Sequence, residues 1–440
     1  MENNISVYHQ RRQTVLEKIG TDGIAILFAA PEQRRSNDTE YPYRQDSYFH
    51  YLTGFPETNS ALILNGREQS ATLLCRQKDP DSEIWHGFRY GPEAAREHFC
   101  FDQVDDICQL TTHLKNALPG HRQLYALWGL YPERDPEIIN LWNDVNRIAH
   151  HRSINGSTVI PENLINLAVI LDPLRLIKDN HEQSLMRIAA EISAQAHIRA
   201  MQKTKAGKYE YQIEAEILHE FMSHGARYPS YNSIVAGGKN ACCLHYVRNS
   251  DQLQAADLLM IDAGAEYQMY AGDISRTFPV SGRFTSAQKD VYDIVLAVNQ
   301  SSIEATVKGA NWQTLSANAI RMLTEGLIDL HILQGSLEEN IDKQHYRRFY
   351  MHGLGHWLGL DVHDVGGRFD SNGQSLLLQP GMVTTIEPGL YIAAADDIPK
   401  AFHNIGIRIE DNILVTETGN EILTASVPKT TSAIETIMQQ

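Results

Sequence analysis

The region after residue 180 presents one pattern twice, and this repetition limits the fold more than any other feature of the sequence. Two predicted amphipathic helix pairs, each joined through Lys and Gly, surround residues 204–217 and 307–320. Each pair is followed by β-type segments with acidic residues, at 258–267 and 270–280 in the first copy and at 382–392 and 405–415 in the second. A duplicated unit predicts two halves that face each other about a pseudo-two-fold axis, with their acids in one cleft. Chance similarity between two helix pairs is the alternative.

The residues before the repeat have a different character. They alternate short apolar runs with helical segments, which is typical of a mixed α/β domain. At 440 residues, the chain exceeds the length that one hydrophobic core usually serves. A long amphipathic helix with Asp179 or Asn180 as its N-cap and Gly207 at its end begins the repeated region. We therefore predict two domains, 1–172 and 173–440.

Composition restricts the partners and the compartment. The formal net charge of −16 argues against a nucleic acid as the partner, because nucleic-acid binding depends on clustered Lys and Arg. No stretch approaches the roughly 20 apolar residues of a membrane span, and the first residues lack a signal-peptide core, so we expect a soluble cytoplasmic protein. The five cysteines have no C-x-x-C spacing, which favours reduced thiols over a disulfide framework or a zinc ribbon.

Four acidic residues lie on strand-like patterns in the repeated region: Asp262, Asp273, Glu387 and Glu410. Burying an ionised carboxylate without a partner is strongly unfavourable. Two carboxylates about 4 Å apart repel by roughly 4 kcal/mol at an effective dielectric constant of 20, so converging acids either take up protons or bind cations. Two divalent ions would neutralise four carboxylates, and such oxygen-rich sets suit Mn²⁺, Mg²⁺ or Co²⁺. Isolated surface acids or ordinary ion pairs are the alternative.

Three histidines lie together in the stretch MHGLGHWLGLDVHDVG, residues 351–366. His352 and His356 have the spacing of a zincin helix, but Gly353 stands where that motif needs Glu, so H-E-x-x-H is excluded. One imidazole can bind a metal while others, including His363, donate hydrogen bonds to an oxyanion. Taken singly, each of His245, His352 and His363 is more often a structural histidine with its hydrogen bonds satisfied.

Several motifs together resemble the aminopeptidase P (Xaa-Pro aminopeptidase) family of the pita-bread metallopeptidases. The motifs are LHY, IDAGAEY, AGDISRTFPVSG, HGLGHWLGLDVHDVG, IEPGLYI and GIRIEDNILVTETGNEILT. The stretch YPYRQDSYFHYLTGF at 41–55 also resembles the N-terminal domain of that family. The resemblance implies an α+β chain, in which a C-terminal pita-bread domain with internal duplication follows a smaller α/β domain.

The resemblance also implies a set of site residues. Two metal ions, usually Mn²⁺, would be bound by Asp262, Asp273, His356, Glu387 and Glu410. The substrate-side and catalytic candidates are His245, His352, His363, Arg408 and Tyr391, with Glu387 also catalytic, and Tyr231 of the RYPSYN stretch is a further substrate-binding candidate. Trp85 resembles a residue that in this family reaches the active site of a neighbouring subunit, and Arg152 is a second candidate for such a role. The resemblance favours a homo-oligomer, a dimer or a tetramer.

The implied reaction is removal of the N-terminal residue from peptides with proline at the second position. A hydroxide that bridges the two metal ions would attack the carbonyl carbon, and Glu387 would pass the proton to the leaving proline nitrogen. Prolidase, which cleaves only Xaa-Pro dipeptides, is the nearest alternative. A pita-bread binding module without metal is a second, and methionine aminopeptidase is disfavoured by the large N-terminal domain.

Overall fold

A computed structural model describes residues 5–154, 157–369 and 372–439 of the chain. The chain forms two compact units, Met1–Leu174 and Arg175–Gln440, beside the boundary of 172 that the sequence predicts. Within the described ranges, no helix combines the length and the apolar composition that crossing a bilayer requires.

The N-terminal unit is built around a mixed sheet. Its helices are α1 (Ile5–Ile19), α2 (Ser47–Thr53), α3 (Pro80–His86), α4 (Gly91–Phe99), α5 (Leu110–Ala117) and α6 (Asp135–Ala149), and α7 (Ala168–Leu176) runs into the second unit. Its strands are β1 (Gly23–Phe28), β2 (Arg34–Ser36), β3 (Thr39–Glu40), β4 (Ala61–Asn65), β5 (Ser70–Cys75), β6 (Gln103–Asp106), β7 (Gln123–Ala126) and β8 (Asn163–Asn166). Six strands pair in the order β6-β5-β4-β1-β7-β8. All six residues of β1 are buried because it lies inside the sheet, which explains its uninterrupted apolar sequence GIAILF.

The C-terminal unit contains two packed helix pairs, as the repeat predicts. Its helices are α8 (Asn180–Lys203), α9 (Glu210–Ser223), α10 (Ser286–Ala305), α11 (Trp312–Asp329), α12 (Leu337–Asp342) and α13 (Thr431–Met438). Helix α8 begins with a capping box of Asp179 and Glu182, whereas its predicted end at Gly207 is wrong. The helix stops at Lys203, and Gly207 adopts a φ of +88° in the turn that follows. A left-handed glycine here serves the connection to α9 rather than the helix end itself.

The strands of the C-terminal unit form small antiparallel sheets. They are β9 (Tyr228–Pro229), β10 (Ile234–Gly237), β11 (Leu258–Asp262), β12 (Ala265–Tyr267), β13 (Tyr270–Ala271), β14 (Ser275–Pro279), β15 (Val383–Ile386), β16 (Gly389–Ile392), β17 (Ile405–Arg408), β18 (Asp411–Val415) and β19 (Asn420–Ile422). They pair in the orders β10-β11-β14, β13-β12-β9, β15-β18-β19 and β16-β17. A hydrophobic core that includes Ile213, Ile261, Leu323 and Ile413 joins both helix pairs to these strands.

The sheet registers determine where the four acids lie. Asp262 is the last residue of β11 and is paired with Ser275 of β14. The other three acids follow or precede a strand: Asp273 comes before β14, Glu387 joins β15 to β16, and Glu410 joins β17 to β18. The prediction that all four lie on strands is therefore right for Asp262 and wrong by one or two residues for the others. Because Asp273, Glu387 and Glu410 lie between strands, regular strand pairing does not fix the directions of their side chains.

Candidate active site

The strand ends of the C-terminal unit surround a cavity of about 530 Å³. Ten of the residues that the sequence predicts line this cavity: Tyr231, His245, Asp262, Asp273, His352, His356, His363, Glu387, Arg408 and Glu410. The folding of the chain thus brings together residues that are separated by up to 179 positions in the sequence, from Tyr231 to Glu410.

His356 lies at the centre of the acidic residues. Its Nε2 is 3.4 Å from Oδ2 of Asp273 and 3.5 Å from Oε1 of Glu387. Its Nδ1 lies 3.0 Å from the carbonyl oxygen of Trp357, which fixes Nδ1 as the protonated nitrogen when the ring is neutral. Nε2 is then the nitrogen with a lone pair that faces the acids.

Tyr231 connects two of the acids. Its hydroxyl lies 2.5 Å from Oδ1 of Asp262 and 2.5 Å from Oδ1 of Asp273. Burial, together with the charges of these two aspartates, raises the pKa of Tyr231 well above its usual value, so the phenol keeps its proton. The neutral hydroxyl donates to one carboxylate at a time and holds the pair at a fixed separation.

Arg408 binds three side chains of the site through its three guanidinium nitrogens. Its guanidinium donates from Nε to Oγ of Ser275 at 2.9 Å, from Nη1 to the hydroxyl of Tyr391 at 2.8 Å and from Nη2 to Oδ2 of Asp262 at 2.6 Å. Ser275 in turn donates to Oε2 of Glu410 at 2.8 Å. One planar cation therefore orients two of the four acids.

Tyr391 continues this network to His352. The Tyr391 hydroxyl lies 2.8 Å from Nε2 of His352, and Nδ1 of His352 lies 2.8 Å from the carbonyl oxygen of Gly353. Because that carbonyl accepts, Nδ1 carries the ring proton and Nε2 accepts from Tyr391. Burial and the nearby charge of Arg408 lower the pKa of His352 to about 4, so its ring is neutral at neutral pH.

His245 and His363 contribute the remaining imidazoles of the cavity. The rings of His363 and His356 meet edge to face with centroids 4.2 Å apart. Burial and the charges of His356 and His245 lower the pKa of His363. His245 follows a 3₁₀ turn, Gly238–Cys242, and lies between two apolar residues of the cavity wall, Leu244 and Val247. This wall combines imidazole donors with apolar surface.

Asp273, Glu387 and Glu410 hold protons more tightly than ordinary carboxyls. Burial raises the pKa of Glu387 to about 7, although the charges of His356 and Arg408 oppose the shift. Burial, reinforced by neighbouring acids, also raises the pKa of Glu410 and Asp273. Burial alone would lower the pKa of His356, but Asp273 and Glu387 raise it to about 9. Crowded acids that retain protons in this way indicate a site that needs positive charge.

The donor set fits a metal centre. One oxygen of Asp273, one nitrogen of His356 and one oxygen of Glu410 lie within 4.8 Å of one another. Asp262 and Glu387 line the same cavity beside them. Four carboxylates with one imidazole form an oxygen-rich set, which Mn²⁺ and related ions prefer to the sulfur-rich sets of structural zinc.

Trp85 and Arg152 lie in the N-terminal unit. Trp85 is on α3 with 83% of its surface exposed, next to the exposed Ile84. Arg152 follows α6 and lines a shallow surface hollow with Lys115 and Ile154. Their action across a subunit interface stays a prediction.

Sequence reasoning missed several residues that shape the cavity. Arg368 lines it, donates to the carbonyl oxygen of Gly355 and lies 4.8 Å from the ring centre of Trp312. It belongs to the Gly-, Ser- and Asn-containing tract 366–382, which has no periodicity that could have indicated a role, and residues 370–371 of that tract lie outside the described residues. Ser275 was detectable, because it lies two residues after Asp273 and hence on the same side of an extended chain.

Comparison with known proteins agrees with this geometry. The model of Metallopeptidase family M24 matches residues 184–417, and the model of Aminopeptidase P, N-terminal domain, matches residues 8–125. The chain is 46% identical to the Xaa-Pro aminopeptidase of Haemophilus influenzae, with 98% of this chain and 96% of that protein covered. It is 44% identical to the Xaa-Pro aminopeptidase of Escherichia coli, with 98% and 97% covered.

A solved structure extends the likeness to three dimensions. Aminopeptidase P from E. coli with the inhibitor Pro-Leu superposes with a TM-score of 0.95 at 43% sequence identity, covering 100% of this chain and 99% of that chain. The predicted fold class is thereby confirmed: an α/β N-terminal domain precedes a C-terminal domain of the pita-bread type.

Proposed function

Because the chain belongs to metallopeptidase family M24, we propose that it is a metal-dependent aminopeptidase that releases the N-terminal residue from peptides with proline in second position. The convergence of four acids and His356 on one cavity is the observation that carries the proposal. The curated relatives with 46% and 44% identity are both Xaa-Pro aminopeptidases, which favours this activity over that of a prolidase.

The proposed metal ligands are Asp273, His356 and Glu410, whose donor atoms lie within 4.8 Å of one another, together with Asp262 and Glu387, which line the same cavity. We propose two divalent ions, most consistent with Mn²⁺ because the set contains four carboxylates and one imidazole. When bound, such ions polarise the scissile carbonyl and lower the pKa of water enough to supply a nucleophile near neutral pH.

Glu387 is the proposed proton carrier. Its Oε2 is 3.7 Å from Nδ1 of His352, and its Oε1 is 3.5 Å from Nε2 of His356, so the carboxyl spans two sides of the cavity. Glu387 would take the proton of the attacking water on a carboxyl oxygen and deliver it to the proline nitrogen as the amide bond breaks.

The remaining cavity residues are proposed to bind and orient the peptide. An Xaa-Pro bond is a tertiary amide without an N–H, so the enzyme must position it by shape and by contacts to the carbonyl oxygen. His245 and His363 supply imidazole donors, and Leu244 and Val247 supply apolar surface for side-chain contact. His352 is the third proposed contact, with its ring held by Tyr391 and Gly353.

Turnover of matched peptides tests the proposal. A tripeptide Xaa-Pro-Yaa and the dipeptide Xaa-Pro are compared with purified protein, with and without added Mn²⁺, alongside metal analysis. We expect Mn²⁺-dependent release of the first residue from the tripeptide, and its loss in His356→Ala. Preference for the dipeptide would favour prolidase, and absence of both stoichiometric metal and activity would favour a binding module.

We further propose a homo-oligomer in which Trp85 acts across the interface. Ile84, Trp85 and Phe88 support this, since they are 79%, 83% and 65% exposed within five residues of sequence, and groups of exposed apolar side chains mark interaction surfaces. Light scattering on the purified protein distinguishes a monomer from a dimer or a tetramer. In an oligomer, Trp85→Ala should lower turnover, whereas a monomeric protein would contradict the proposal.

A further inference from the structure

Residues 361–364 form a short segment of the cavity wall, which we call the His363 loop. Its two central residues, Val362 and His363, line the cavity. Its two outer residues, Asp361 and Asp364, carry the carboxylates that anchor it. The loop lies outside the regular helices and strands, and its backbone is held at its ends. The N–H of Asp364 donates to the carbonyl oxygen of Trp357 at 3.0 Å, and the carbonyl oxygen of Asp361 accepts from the N–H of Gly359 at 3.1 Å.

One guanidinium nitrogen binds both ends of the His363 loop. Nη2 of Arg175 donates to Oδ2 of Asp361 at 2.8 Å and to Oδ1 of Asp364 at 2.6 Å. The side chains of Arg175 and Asp364 are each 1% exposed, whereas that of Asp361 is 38% exposed. A rigid, planar cation that reaches both ends restricts the loop to a narrow range of positions.

A second cation completes the cluster. Nζ of Lys178 donates to Oδ2 of Asp364 at 2.9 Å, and its side chain is also 1% exposed. Burial would raise the pKa of Asp364, but Lys178 and Arg175 outweigh it and hold that pKa below its ordinary value, so the carboxylate stays ionised. Arg175, Lys178 and Asp364 are buried and each is paired with an opposite charge, which offsets part of the cost of removing them from water.

Packing around the cluster is tight as well. A Cβ at Gly359 would collide with the Asp364 carboxylate and come within 2.9 Å of Cε of Lys178. At Gly366, φ is +122° and a Cβ would lie 2.9 Å from Cδ1 of Leu176. The first residues of the C-terminal unit therefore fit closely against the chain on both sides of the His363 loop.

We propose that Arg175, Lys178, Asp361 and Asp364 are positioning residues that hold His363 against the substrate. The inference rests on the proposed function for the substrate-side role of His363. Its physical basis is that Arg175 and Lys178 bind the two outer carboxylates of the loop, whereas the two central residues, Val362 and His363, line the cavity. Displacement of a positioned group by about 1 Å can cost on the order of 100-fold in rate.

A double-mutant cycle separates positioning from general stabilisation. The kcat/KM for Xaa-Pro-Yaa is measured for wild type, Asp364→Asn, His363→Ala and the double variant. We expect Asp364→Asn to lower kcat/KM by about 10- to 100-fold when His363 is present, and to have little further effect when His363 is already alanine. Equal, multiplicative losses in both backgrounds would overturn the proposal, because they show that the cluster does not act through His363.

Asp361→Asn gives a test that does not depend on a fully buried substitution. It removes one anchor on the partly exposed side and should fold, with a smaller loss in kcat/KM that again disappears in the His363→Ala background. Hydrogen exchange of the peptide spanning 357–366 should increase in Asp361→Asn. Glu421→Gln, which removes a carboxylate from the half-exposed ion pair with Arg187, is the control and should change neither quantity.

The two measurements distinguish the two proposals. If wild type does not cleave Xaa-Pro-Yaa, the proposed function is wrong, while hydrogen exchange still reports on the anchoring of the loop. If wild type cleaves and Asp361→Asn changes neither exchange nor kcat/KM, the positioning role is wrong and the proposed function is unaffected.

Discussion

Nη2 of Arg408 donates to Oδ2 of Asp262 across 2.6 Å, and both side chains are largely buried. The other two nitrogens of the same guanidinium donate to the hydroxyl groups of Ser275 and Tyr391. Through Ser275 the contact extends to Glu410, and through Tyr391 to His352. Arg408 therefore connects the acidic residues Asp262 and Glu410 to His352 through hydrogen bonds.

Arg408→Lys should impair catalysis while the protein remains folded. A lysine ammonium keeps the charge but cannot reach three acceptors that match a planar fork. Loss of such a supporting contact typically costs about 10- to 100-fold in metal affinity or activity. We expect a decrease of that size in kcat/KM for Xaa-Pro-Yaa at saturating Mn²⁺. Arg187→Lys, at a half-exposed ion pair, is the control, and activity of Arg408→Lys within twofold of wild type would contradict this role.

The contribution of Glu387 to the stability of the metal-depleted protein should fall as pH rises toward neutrality. Burial raises the pKa of Glu387 to about 7, whereas an unfolded Glu titrates near about 4.3. Between these pH values the Glu387 carboxyl is protonated in the folded state and ionised in the unfolded state. Its contribution to stability is therefore fully present below the unfolded pKa and is lost as pH rises through the folded pKa.

Added Mn²⁺ replaces the protons, so its stabilising effect should be larger at pH 8 than at pH 5. Thermal unfolding of chelator-treated protein, measured with and without Mn²⁺ at both pH values, checks this expectation. In Glu387→Gln the pH dependence of the metal-free protein should be weaker, because the titrating group is gone. An equal Mn²⁺ effect at both pH values would argue against proton and metal competition in this cluster.

Tyr231 and Tyr391 should separate metal binding from substrate turnover. Tyr231→Phe removes the hydroxyl that lies 2.5 Å from both Asp262 and Asp273, so we expect Mn²⁺ affinity to fall by about 10- to 100-fold. Tyr391→Phe removes a hydroxyl that contacts His352 and Arg408, so kcat/KM should fall while Mn²⁺ affinity stays close to wild type. Calorimetric titration with Mn²⁺ and peptide kinetics on both variants provide the comparison. An equal loss of Mn²⁺ affinity in the two variants would contradict this separation, because it would show that the Tyr391 hydroxyl also orients the metal-binding acids.

The sequence predicts the cavity residues well because their signals are local. A short motif around each acid, such as IDAG or IEPG, and the histidine stretch carry the resemblance to the aminopeptidase P family, so these residues could be selected without knowledge of the fold. The helix pairs are equally local, since capping residues such as Asp179 and apolar spacing lie within a few turns. Asp273, Glu387 and Glu410 were nevertheless predicted on strands, whereas they lie one or two residues outside them. The apolar pattern of a sequence does not show at which residue the hydrogen bonds between two strands end.

Contacts between distant residues could not be predicted in this way. Arg175 and Asp364 are separated by 189 positions, and each taken alone resembles an ordinary surface charge. Arg368 lies in a tract without periodicity, and its position in the cavity depends on how that tract folds over Trp312 and Gly355. Contacts of this kind depend on tertiary packing, and the periodicity of a single sequence does not predict them.

Glu210 shows the same limitation and supports a further prediction. This fully buried residue of α9 accepts hydrogen bonds at Oε1 from the backbone N–H of Gly237 and from Asn240, at 2.8 and 3.0 Å. At Oε2 it accepts from the hydroxyl of Tyr246 and from the backbone N–H of Asp251, both at 2.8 Å. One carboxylate therefore fixes four points around the segment that carries His245.

Glu210→Gln should loosen this segment and weaken substrate binding. The new amide NH₂ would face two donors in place of an acceptor oxygen, which costs roughly 1–3 kcal/mol in unfolding free energy. We expect a lower melting temperature and a raised KM for Xaa-Pro-Yaa, with Mn²⁺ affinity unchanged. Glu214→Gln, one turn further along α9, is the matched control, since Gln can still accept from Asn249. A variant with lowered stability but unaltered KM would show that Glu210 supports the fold without orienting His245.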